Sequence, residues 1–276
     1  MGFFGRKRAP SVPHPRKEPR FDGPLTLERL EQIFQDCVDF TKRPVSLGEG
    51  GACTLTLCYL SGMVKMERVS DYVLRPLAQD EALARCGTPR QAMDRMKDGA
   101  LYNLSAEERT RLDAAVFDLV NGCCLLLFPW ESSVLSLNVG TEEKRSISSP
   151  SNETVLKGSR DAFVESLRTN TSIVRRHLKA PELRIREQVV GRQSVTSVDI
   201  LYIEGLTNPH LVEQVAAQLA DIDIDAVLTT GNIEEYIVPA ARTAFPLVQY
   251  TERSDRFCAG LAEGRVGILI DGLPLG

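Results

Sequence analysis

The chain has 276 residues, is 43% hydrophobic and 25% charged, and carries a formal charge of −4. That length holds one large domain or two small ones with real apolar cores, and the mild acidity argues against a dedicated nucleic-acid binder. The charge is uneven: within residues 1–24, six Lys and Arg stand against Glu18 and Asp22, which leaves +4 there and −8 on the rest.

Residues 1–25 hold Pro10, Pro13, Pro15, Pro19 and Pro24 among those cations and read as a disordered basic arm. The arm lacks the apolar run of a secretory leader, and seven cysteines make no paired framework, so a reducing compartment is expected. No apolar run approaches the roughly 20 residues of a membrane span. Thr26 is a helix cap, followed by Leu27, Leu30, Phe34, Cys37 and Val38 on one face; Pro44 ends that helix. Residues 53–60 alternate like a strand, and a short helix is expected at 67–74. Ser105 and Glu108 form a capping box for a helix through Leu112, Val116 and Leu119. Residues 123–128 and 134–139 read as a hairpin. The first α/β subdomain is therefore placed at 26–142, a polar linker at 143–154, and a second α/β subdomain at 155–276.

Residues 157–178 read as one long helix capped by Ser159, with Phe163, Leu167, Val174 and Leu178 as its buried stripe. Asn170 interrupts that stripe. Its amide either satisfies backbone groups of a neighbouring element or reaches a ligand between the two halves. Strands are expected at 183–190, 195–204, 225–229, 247–250 and 265–271, with helices at 209–219, 231–237 and 254–263. Gly264 is a left-handed helix stop. The alternation implies an α/β class with two small subdomains, mixed sheets and some parallel pairing.

Catalytic signatures are missing. No phosphate-binding Gly-Lys-Ser/Thr loop, dinucleotide fingerprint or nucleophile elbow occurs. His14, His177 and His210 are scattered, and His177 reads as a solvated helix-end residue. Asp221, Asp223 and Asp225 begin like a calcium loop, but Ala226 stands where the turn glycine belongs. Cys53 and Cys58 lack the second pair a zinc site needs. No metal and no cofactor are expected. The arginines of the long helix lack interleaved aromatics for stacking on bases, so no nucleic-acid partner is expected.

Five blocks carry a resemblance. They are YLSGMVKMERVSDYVLRPL at 59–77, GSRDAFVESLRTNTSIVRR at 158–176, GRQSVTSVDILYIEGLTNPHLV at 191–212, TERSD at 251–255 and LAEGRVGILIDGLP at 261–274. In this order they resemble the soluble N-terminal region of the GerA-type spore germination family. Gly158-Ser159-Arg160-Asp161 stands where receptor A subunits carry Gly-Pro-Arg-Glu, and Ser254 replaces a family proline. These departures lean toward the stage V sporulation protein AF branch.

The resemblance implies a domain of a spore inner-membrane protein, held on the cytoplasmic side, whose membrane helices follow Asp271–Pro274. It implies a non-enzymatic role in subunit interaction and gating of germinant-triggered ion release. The alternative is a germinant-binding module with Asn170 and an arginine as anchors. Implied partners are other germination membrane proteins, further copies of the parent, and anionic lipid at the basic arm. The candidate contact residues are Arg160, Asp161, Glu165, Asn170, Arg175 and Arg176, then Glu252, Arg253 and Asp255, then Glu263, Arg265 and Asp271. Gly158, Gly264 and Gly272 are the expected turn glycines.

Overall fold

Near-continuous apolar runs build the central strands of the first sheet, because successive side chains point to opposite faces and each face meets its own helices. The computed structural model describes residues 21–47, 53–101, 106–140, 161–227, 229–238 and 247–276. Most of the expected basic arm, the linker at 143–154, Ser105, Gly158, Ser159 and Arg160 lie outside these residues. The first half runs α1 (Leu27–Ile33), β1 (Phe40–Ser46), β2 (Thr54–Leu60), α2 (Met66–Val69), α3 (Arg75–Gln79), α4 (Glu81–Ala84), α5 (Pro89–Arg95), β3 (Ala106–Arg109), α6 (Leu112–Val120), β4 (Cys123–Leu127) and β5 (Val134–Asn138). Its sheet has the order β1-β2-β4-β5-β3, antiparallel throughout. Leu55, Leu57, Cys124 and Leu126 face the core under α2–α5, whereas Cys58, Leu60, Leu125 and Leu127 face α1 and α6.

Three expectations here need correction. The first helix stops at Ile33 rather than running to Val38, because the chain turns at Asp36 with φ 57°. Pro44 lies inside β1, an edge strand, where its missing N–H costs no ladder bond. Glu108 caps no helix. It belongs to β3, and its carboxylate takes Arg90, Lys97 and Ser133, which hold it down at about 2.

The second half runs α7 (Leu167–His177), β6 (Leu183–Val190), β7 (Thr196–Ile203), α8 (Pro209–Ala220), α9 (Gly231–Ile237), α10 (Ser254–Ala262) and β8 (Gly267–Ile270). Its sheet has the order β6-β7-β8, again antiparallel. Phe163, Val174, Ile185, Leu201, Phe257 and Leu261 pack on one face; Val198, Ile200, Val215, Leu219 and Ile233 pack on the other. The sheet is therefore sandwiched between α7 with α10 and α8 with α9.

The expected long helix is shorter at its start. Ser166, not Ser159, is the cap, accepting from the Thr169 N–H, and residues 161–166 run extended beside the helix. Of the strand expected at 225–229, the described residues 225–227 and 229 form no ladder; the Asp225 carbonyl instead accepts from Gln193 and Ser194. Residues 247–250 likewise join no sheet.

The expected parallel pairing occurs in one place among the described residues, a bridge between Cys37 and Ile185. The Val38 N–H donates to Ile185 at 2.9 Å, and the Ile185 N–H donates to Asp36 at 3.0 Å. This lays a piece of the first half along the edge of β6. Beside it Arg175 of α7 grips Asp39 through Nε at 2.8 Å and Nη2 at 2.9 Å. The two residues are 1% and 2% exposed. Gly62 lets the backbone approach α7 closely: its φ is +82°, and a Cβ there would stand 2.9 Å from Cβ of Ser172.

Asp39→Ala leaves a buried guanidinium uncompensated and should lower stability by about 3–5 kcal/mol in urea unfolding. The double variant Asp39→Leu/Arg175→Met removes both charges and should cost less than either single truncation. A double variant as damaged as the sum of the singles would contradict a desolvated pair.

Candidate functional site

Helix α7 is the element around which the motif residues gather, because its polar side chains reach a different segment at nearly every turn. At its start the Asp271 carboxylate accepts the Leu167 N–H at 3.1 Å, placing negative charge where the helix dipole favours it. The Gly272 N–H donates to the Glu165 carbonyl at 2.8 Å, so Glu165 and Asp271 meet at this end while the Glu165 side chain is exposed. Gly272 (φ +83°) makes the turn.

In the middle of the helix Asn170 is fully buried. Its amide donates to the Val164 carbonyl at 2.6 Å and its carbonyl accepts the Val164 N–H at 2.8 Å. The extended residues 161–166 are thereby clamped to the helix, and the amide is spent on backbone rather than on a ligand. The Thr171 hydroxyl lies 2.8 Å from the Leu167 carbonyl and 3.1 Å from the Asp199 carboxyl, and Arg168 pairs with Glu187 of β6.

Asp161, Glu252, Arg253 and Asp255 converge near the far end of α7. Ala162 bridges Arg253, the Phe163 N–H donates to the Glu252 carbonyl at 2.8 Å, and Ser254 donates through both N–H and Oγ to the Asp161 carbonyl. Arg253 holds Asp255 through two bonds of 3.1 and 2.7 Å. That guanidinium, together with the Arg256 N–H, keeps the Asp255 carboxyl below its usual range. His177 ends α7 and is exposed, as its helix-end position suggested, while Nε2 lies 3.2 Å from Ser254 Oγ and 3.5 Å from Asp161 Oδ2.

Serine, histidine and aspartate thus meet without forming a proton relay. Both partners approach the same imidazole nitrogen, and the fully buried Ser254 hydroxyl already gives its proton to a backbone carbonyl. Among the described residues no group of three or more His, Cys, Asp or Glu could hold a metal ion.

The remaining expected contacts separate. Arg175 is sealed against Asp39, so the contact it makes is with the first half of this chain rather than with a surface partner. Arg176 is half-buried with no ion pair among the described residues. Glu263 and Arg265 form an exposed pair at 2.8 Å, and Arg265 also donates to Gln249. Gly264 between them takes φ +89°. This pair edges an apolar groove of about 940 Å³ between α8, α9, α10 and β8, lined by Val215, Ile233, Phe257, Leu261 and Ile268 with Glu234 and Arg256. The groove was not legible in the sequence, since its walls come from three separate helices.

Asn170→Ala strips Val164 of both hydrogen bonds and opens a polar void. It should cost about 2–4 kcal/mol, since a buried donor and acceptor are each left unmet; urea unfolding measures it. A loss under about 0.5 kcal/mol would mean the clamp is not formed in solution. Gly264→Ala should cost about 1 kcal/mol or more by thermal unfolding, since its φ is positive.

The model of the Bacillus/Clostridium GerA spore germination protein family matches residues 28–276. The chain is 33% identical to the membrane protein YfkQ of Bacillus subtilis over 90% of its own length and 47% of the relative's. It is 32% identical to spore germination protein KA of the same species, covering 86% of this chain and 43% of that one. Stage V sporulation protein AF of that species is 31% identical, over 80% of this chain and 44% of its own. These identities do not separate the receptor and sporulation-AF branches. The chain spans under half the length of these relatives.

The fold matches the crystal structure of the N-terminal domain of the A subunit of the Bacillus megaterium spore germinant receptor GerK3. The TM-score is 0.70 at 27% identity, covering 91% of both chains. Among the described residues no helix is long and apolar enough to cross a membrane. The chain belongs to the GerA spore germination protein family.

Proposed function

We propose that this chain is the N-terminal domain of a spore inner-membrane germination protein and works as a non-enzymatic contact and gating element. The observation that carries this is the likeness to a germinant-receptor A-subunit domain over 91% of the chain. The geometry supports it. The titratable groups gathered around α7 are directed at one another and at backbone, which makes a stiff body rather than a reaction centre. Stiffness is what an element needs to pass a displacement from one neighbour to another.

In this reading the domain lies on the cytoplasmic side and the partners are other germination membrane proteins and further copies of the parent. The basic arm meets anionic lipid, each cation contributing about 1 kcal/mol near the surface. The exposed Glu263–Arg265 pair and Arg176 are the contact residues, because their charges are not consumed inside the fold. The whole protein takes part in germinant-triggered ion release.

A second reading follows from the groove between α8, α9 and α10, whose apolar lining with a few polar groups suits a small molecule. Asn170 and Arg175 cannot be its anchors, as both are committed elsewhere. Calorimetry against amino acids, sugars and nucleosides separates the readings: saturable heat abolished by Val215→Arg would favour the ligand module.

Arg176→Glu and Glu263→Lys in the intact parent should slow germination severalfold, with the urea midpoint of this domain unchanged. Normal germination in both variants would overturn the contact role.

A further inference from the structure

Asp199 of β7 and Glu187 of β6 stand directly opposite each other in the ladder. Like charges in that register repel. One cation serves both: Arg168 of α7 pairs with Glu187 and lies 3.5 Å from Asp199. Asp199 is fully buried. One of its oxygens lies within hydrogen-bond distance of the Thr171 hydroxyl; the other has no partner among the described residues.

Among the described residues the other neighbours bring no second cation. Leu269 of β8 faces Asp199 across the ladder, and α10 contributes Phe257, Cys258 and Leu261 to the same layer. Burial pushes the Cys258 thiol up to about 12, so it stays neutral. Asp39, from the turn before β1, adds negative charge, but its own carboxylate is matched by Arg175. Three carboxylates thus share two guanidiniums around this side of α7. Burial raises the Asp199 carboxyl to about 6 against the pull of Arg168 and Thr171, with Glu187 and Asp39 adding to the rise.

We propose that Asp199, Glu187 and Arg168 form a proton-operated latch between α7 and the second sheet. With one proton on Asp199, Arg168 serves Glu187 and every charge is matched. When the proton leaves, a buried carboxylate with one unmet oxygen competes with Glu187 for Arg168, and the grip of α7 on β6 and β7 weakens. Because α7 also carries Arg175 to Asp39, the latch sets how firmly the two halves are joined. It is a property of the chain itself and stands apart from the gating role.

The sign follows from linkage. The folded carboxyl titrates above the unfolded value of about 3.9, so between roughly pH 4 and 6 the folded state holds a proton that the unfolded state has lost. Stability from this group is full below about pH 4, falls as pH rises to about 6, and is level above that. The folded-to-unfolded ratio drops about tenfold per pH unit across that window.

The test is a carbon-detected NMR titration of the Asp199 carboxyl in the 276-residue chain, with amide exchange of α7 corrected for intrinsic rates. Asp199→Asn assigns the resonance. The midpoint should lie near 6 in the parent chain. It should move down in Glu187→Gln and up in Arg168→Gln. Amides of α7 should exchange faster above the midpoint, a step absent from Asp199→Asn. A midpoint near 4, one unmoved by both neighbouring substitutions, or an α7 step that survives in Asp199→Asn would overturn the latch. If Asp199→Asn does not fold, the opposite shifts in the other two variants decide the same question, with the resonance assigned through the backbone.

Discussion

A guanidinium that keeps its proton at any ordinary pH is sealed between two α/β bodies, and the structure must answer it at one point with one carboxylate. Arg175 and Asp39 meet that demand through a two-pronged fork, 136 positions apart in sequence. Apolar packing would tolerate several orientations of one half against the other, because it is non-directional. The fork does not. Such a pair adds little net stability over an apolar substitute, since desolvation offsets the attraction. Its contribution here is direction: it fixes which turn of α7 meets which turn of the first half.

The same logic explains how a helix with so many polar residues is largely buried. Asn170, Thr171 and Arg175 each answer a defined group: the backbone of Val164, the carboxylate of Asp199 and the carboxylate of Asp39. Arg168 and His177 do so at its edges, toward β6 and toward Ser254. A buried network rigidifies its surroundings when its members are satisfied. The exception is the free oxygen of Asp199, on the face of α7 that meets the sheet.

The alternation in Leu55–Leu60 and in Leu183–Val190 made the strands legible, since period two leaves little choice of register face. Asn208 followed by Pro209 likewise announced α8, whose Asn208 side chain accepts from the His210 N–H. The start of α7 was misread because Ser159 and Ser166 are both capable caps, and Phe163 fits the stripe of a helix as well as an extended strand. What decided it was the Ala162–Arg253 bridge, formed with residues some 90 positions away, as in the Ser254–Asp161 bonds. Glu108 was misread for the same reason: its partners Arg90, Lys97 and Ser133 lie on other elements. Of the site, Asn170 was visible as a polar residue in an apolar stripe. Asp39 and Asp199 gave no signal, because a single acid in a strand or turn looks alike whether it faces water or an arginine.

The outer edge of β6 is met at Ile185 not by its own half but by Asp36–Val38, which lies nearly 150 residues earlier, with Cys37 Sγ reaching the Leu183 carbonyl 146 positions away. A nascent chain therefore holds that early segment without its mate until β6 has been synthesised. A piece comprising the later half alone would present a bare strand margin, open to pairing with another copy of itself. The early half thus covers, at Ile185, part of the edge that the late half's sheet would otherwise expose.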